Sequence, residues 1–92
     1  MKSLYILGLT TIIMSSQSWA YDDECKVYNA LTGQYAGSSW YPITLSGNQS
    51  TDDTNAVMTC LKQVQASQHA QCGNASILQR SPNYSVKLFC VL

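Results

Sequence analysis

STDDTNAVMTCLKQVQASQHAQCG, residues 50–73, decides how this chain folds. Ser50 or Thr51 can cap a helix by accepting a backbone N–H, and Asp52 and Asp53 suit its positive end. Val57, Cys60, Leu61 and Val64 then recur at helical spacing, with Lys62, Gln63 and Ala66 opposite. Gly73 or Asn74 is the natural stop, because a left-handed terminal residue favours glycine or asparagine.

Downstream, residues 75–80 and 84–91 are extended runs around Ser81-Pro82-Asn83, a turn by composition. Val86, Leu88, Cys90 and Leu92 share one face at period two, and Lys87 falls on the other. Folding back across the turn sets Arg80 against Tyr84 and brings Cys90 opposite roughly Asn74.

Upstream, residues 25–31 read as a strand around Val27 and Tyr28. Thr32-Gly33 is a turn signal, and residues 34–45 return as a second strand, bent by Gly37, Ser38 and Ser39. Pro42 suits an edge position there, since it cannot donate to a neighbouring strand. The expected fold is α+β, order ββαββ: one helix on a small, mainly antiparallel sheet, stapled by two disulfides.

The four cysteines, Cys25, Cys60, Cys72 and Cys90, are an even set in a short chain. No C-x2-C pair is present for zinc or thiol exchange, so they read as a disulfide framework. Cys60 and Cys72 on one continuous helix would stand roughly 18 Å apart, beyond the roughly 7 Å that a disulfide tolerates. That excludes Cys60–Cys72. The hairpin then favours Cys72–Cys90, which leaves Cys25–Cys60 to tie the first strand to the helix.

Residues 1–20 carry the marks of a cleaved leader. Lys2 precedes an apolar run from Leu4 to Met14, and Ser18 and Ala20 are the small residues that signal peptidase accepts. The run covers only about half of the roughly 20 residues that a membrane-spanning helix needs. Asp22, Asp23 and Glu24, just before Cys25, are unlike a lipobox and read as a flexible new amino terminus. The expected mature chain is a single domain over 21–92, without a membrane span, in the periplasm or secreted. The short leader with one lysine favours a bacterial source. In a eukaryote, Asn48, Asn74 and Asn83 would each open a glycosylation sequon.

Charge excludes one partner class. The whole chain has 5 basic and 5 acidic residues and is 46% hydrophobic but only 11% charged. No basic face is expected, and hence no nucleic-acid binding by counterion release. Chemistry-bearing groups are few. His69-x-x-Cys72 invites a nucleophile reading, yet a bridged cysteine offers no thiolate, and His69 suits the helix C-terminus. Asp52 and Asp53 serve a cap, and neither a phosphate loop nor a metal motif is present. A non-catalytic protein without cofactor or metal is the expectation, a small hydrolase being the third reading.

The aromatic residues carry the remaining signal. Tyr35, Trp40 and Tyr41 cluster among small residues, and Tyr and Trp give large contact areas at low entropic cost. Burial tendency favours Trp40 as a core residue, with Tyr35 and Tyr41 better placed for exposure. The functional expectation is a binding module that docks on or inhibits another protein, as inhibitors, immunity proteins and secretion accessories do. A glycan-binding subunit stacking sugars on the same rings is the alternative.

Overall fold

The computed structural model describes residues 20–92, so the expected leader lies outside the described residues except for Ala20. Strands β1 (Ala20–Asn29) and β2 (Tyr35–Thr44) precede helix α1 (Gln49–Gln68), and strands β3 (Gln71–Gln79) and β4 (Tyr84–Val91) follow it. They form an α+β structure with one helix on a four-stranded mixed sheet, in spatial order β2-β1-β4-β3. Two of the three pairings are antiparallel hairpins, and the central β1–β4 pair is parallel. That pair is parallel because α1 lies between the hairpins and carries the chain back across one face of the sheet. Among the described residues no helix is long and apolar enough to cross a membrane.

The core lies between α1 and the inner face of the sheet. Val27, Val64, Val86 and Leu88 are its largest fully buried apolar side chains, joined by Ile43, Ala56 and Tyr84. Both disulfides are formed, Cys25–Cys60 from β1 to the helix and Cys72–Cys90 across β3 and β4. Cys25, Cys60 and Cys90 are fully buried, so sulfur fills space that larger side chains occupy in bigger domains.

Three sequence expectations need correction. The helix starts earlier than expected, with Asn48 as its cap accepting a hydrogen bond from Thr51 N at 3.0 Å. Asp52 instead folds the preceding loop, accepting from Ser46 N at 2.7 Å, Ser46 Oγ at 2.9 Å and Gly47 N at 3.1 Å. Those bonds, the Ser46 backbone amide first, hold its carboxyl below the ordinary range.

The helix also stops sooner, at Gln68, with His69 in the left-handed conformation (φ 51°) as its cap. Beyond Val64 the apolar stripe runs out into Ser67 and Gln68, so another turn would bury nothing. Residues 71–74 therefore join β3. Its two register shifts, between Gly73 and Ser76 and between Ile77 and Gln79, move Cys90 from opposite Asn74 to opposite Cys72.

The acidic triplet is not a flexible terminus. Asp22, Asp23 and Glu24 lie within β1, whose alternation puts Asp23 on the inner face with Cys25 and Val27. Asp23 is 0% exposed. Its Oδ1 has no hydrogen-bond partner, and its Oδ2 sits 3.4 Å from the Cys60 sulfur, which as half of a disulfide has no hydrogen to donate. Burial pushes this carboxyl up to about 7.

Candidate interaction face

Among the described residues one helix covers one face of the sheet, and the other face is bare. Strand alternation decides what stands on it. In β1 the residues opposite in phase to Cys25 and Val27 are Asp22, Glu24, Lys26 and Tyr28. In β4 they are Ser85, Lys87 and Phe89, the registers pairing Glu24 with Ser85, Lys26 with Lys87 and Tyr28 with Phe89. On the other side β2 sets Trp40 beside Glu24, Ser38 beside Lys26 and Tyr35 beside Tyr28.

These side chains are organised in two halves. At one end three rings pack together. Tyr28 meets Tyr35 edge-on at 5.3 Å between centroids and Phe89 at 5.6 Å. Lys87 Nζ lies 5.3 Å from the Tyr28 ring centre and 5.2 Å from that of Phe89, and Lys26 Nζ lies 5.8 Å from that of Tyr35. These distances are within the range of cation–π attraction.

Toward the other end Glu24 joins three strands. It accepts from Ser38 Oγ on β2 and from Ser85 Oγ on β4, each at 3.2 Å, and pairs with Lys26 Nζ at 3.4 Å. The Tyr35 hydroxyl extends this network through Ser38 Oγ. The result is a surface of packed rings, two ammonium groups and two carboxylates, Glu24 near the lysines and Asp22 farther along β1.

The predicted aromatic site is divided between the two faces of the sheet. Tyr35 and Trp40 stand on the bare face, each 54% exposed, whereas Tyr41 lies opposite Asp23 and packs, half-buried, against the core. The expected core role of Trp40 is overturned by strand phase: Ile43 and Tyr41 point inward, so Trp40 points out. Tyr28, Lys26, Lys87, Phe89 and Glu24 were missed as site residues. Their signal was present in the alternation of Glu24-Cys25-Lys26-Val27-Tyr28 and of Ser85-Val86-Lys87-Leu88-Phe89, where every second residue is polar or aromatic.

Other groups are tied to structural work. His69 is exposed at the helix end, and Cys72 is bridged to Cys90. Asp23, Cys25 and Cys60 bring three ligand-type atoms within 4.8 Å of one another, but their two sulfurs are bonded together. An open cleft of about 420 Å³ lies near the start of α1, lined by Tyr21, Leu45, Asp52, Arg80, Pro82 and Tyr84 among others.

Its charged groups and Tyr84 are already paired, Asp52 with the preceding loop and Arg80 and Tyr84 with Asp53. Asp53 receives Arg80 Nε and Nη2, both at 3.0 Å, and the Tyr84 hydroxyl at 2.7 Å. Arg80 first and Tyr84 second hold the Asp53 carboxyl low, while burial and the bond to Asp53 push the Tyr84 hydroxyl up to about 12. This cluster fastens the β3–β4 turn to Asp53, near the start of the helix.

No family model matches the chain, and neither does any curated protein or solved structure.

Proposed function

We propose that the protein is an exported, non-catalytic binding module that docks on another protein through the bare face of its sheet. The observation that carries this reading is the exposure of Tyr35, beside Tyr28 and Phe89, and of Trp40, beside Glu24, on a face that no other element among the described residues covers. Aromatic rings held by neighbouring strands lose little freedom on binding, which makes them effective interface anchors. Two formed disulfides fit an oxidising compartment, periplasmic or extracellular. Inhibitor, immunity or accessory roles all use such a rigid surface.

Glycan binding is the second reading, favoured by the half-exposed Trp40 beside Glu24 and near the Ser38 hydroxyl. Affinity capture from the native compartment, followed by glycan arrays, tests both. Tyr35→Ala and Trp40→Ala should keep the melting temperature within a few degrees, since both side chains are half-exposed. Each should weaken partner retention about tenfold or more. Retention indifferent to both changes removes the docking reading, and Trp40-dependent sugar selectivity replaces it with the second.

A further inference from the structure

We infer that the partner presents a carboxylate side chain, flanked by apolar residues, to the lysine pair at the centre of the bare face. The inference rests on the docking reading above and names the chemistry of what docks. Lys26 and Lys87 are register partners on the two central strands, so two like charges stand side by side on the same face. Adjacent like charges on a sheet are destabilising. Glu24 answers only one of them, pairing with Lys26 at 3.4 Å.

Among the described residues, Lys87 has no carboxylate within salt-bridge distance and rests instead between the Tyr28 and Phe89 rings. Lys87 is therefore left without a carboxylate partner, with the Tyr28 and Phe89 rings on one side of it and the Glu24 network on the other. An aspartate or glutamate next to apolar side chains matches that arrangement.

Other occupants fit less well. Two-fold self-association centred here would set one lysine pair against its copy, gathering four ammonium groups around two Glu24 carboxylates, with the two Asp22 carboxylates farther out. A nucleic-acid backbone would satisfy the lysines, but its phosphates would pass Glu24 and Asp22 on the same face. A short acidic segment reaches Lys87 and leaves Glu24 in its own bonds and Asp22 to water.

Panning a random dodecapeptide phage library on the purified, oxidised protein tests this. Selected peptides should be enriched in Asp or Glu next to aromatic or aliphatic residues and should lose binding to Trp40→Ala or Tyr35→Ala. Lys87→Gln should weaken them roughly tenfold, and Lys26→Gln less, because Glu24 already occupies part of its charge. Lys62→Gln, on the helix, serves as the control and should leave affinity unchanged.

Peptides that need Trp40 and Tyr35 but carry no acidic enrichment, and that bind Lys87→Gln as tightly, overturn the inference while sparing the docking reading. If no selected peptide depends on the two aromatics, both fall. Tighter Lys87-dependent binding of an oligo-dT probe would give the face to nucleic acid and overturn the inference as well.

Discussion

Replacing Asp23 by asparagine should remove most of the protein's loss of stability between about pH 4 and pH 7. The carboxyl is fully buried, touches a disulfide sulfur and receives no hydrogen bond. Tyr41 faces it from β2 and Tyr84 from β4, and Tyr84 gives its hydroxyl hydrogen to Asp53 instead. With burial as the only influence, Asp23 stays protonated to about pH 7 in the folded protein, against an ordinary value of 3.8.

The direction follows from proton counting. Between those two values the folded chain holds a proton that the unfolded chain has released, so raising the pH favours unfolding. Below about 4 both states are protonated and nothing is lost, and above about 7 the penalty is constant. At about 1.4 kcal/mol for each pH unit, roughly three units amount to roughly 4 kcal/mol. That is a large fraction of the 5–15 kcal/mol that holds a typical domain together.

Asp52 and Asp53 act in the opposite sense. Hydrogen bonds hold both carboxyls below 3.8, so their stabilisation is present above that value and fades as the pH falls further. Wild-type stability should therefore peak on the acid side of neutrality. Urea midpoints at pH 4.5, 6 and 7.5 give the slope directly. Asp23→Asn should flatten it and unfold at higher urea than wild type at pH 7.5. An unchanged slope would mean that Asp23 does not titrate in a dry core.

What could be read in the sequence follows from how local each signal is. The β4 hairpin arm and the Cys72–Cys90 bridge are legible because period-two alternation and a turn are properties of short stretches. Helix rise does not exclude Cys60–Cys72, since the helix ends at Gln68 and Cys72 lies on β3, so the pairing rests on the hairpin alone. The parallel β1–β4 pair is not, since it depends on how the helix returns the chain. Asp23 shows the same limit: three consecutive acidic residues suggest solvent, and only the phase set by Cys25 and Val27 places the middle one inside. Trp40 was misjudged for the converse reason. Tryptophan is usually buried, but Ile43 and Tyr41 had already fixed which side of β2 faces the helix. The lysine pair needed the β1–β4 register and could not be seen from either strand alone.

Removing the Cys25–Cys60 bridge should be the most damaging change after core truncation. The bond closes a span of 35 residues and Cys72–Cys90 one of 18. Lost chain entropy alone implies costs of about 4 and about 3 kcal/mol for the two alanine pairs. The first pair also empties two fully buried positions at the contact between α1 and β1. Cys25→Ala/Cys60→Ala should therefore melt well below Cys72→Ala/Cys90→Ala, and equal melting temperatures would contradict this ranking.

Reduction differs from alanine replacement in one respect. It gives Cys60 a hydrogen, and its sulfur is 3.4 Å from Asp23 Oδ2. In the Cys72→Ala/Cys90→Ala background, the reduced protein should thus be more stable than the quadruple alanine variant. The margin should widen as the pH rises, because an ionised Asp23 gains more from a donor than a protonated one. A margin that stays constant with pH would leave the sulfur filling space without serving the buried carboxylate.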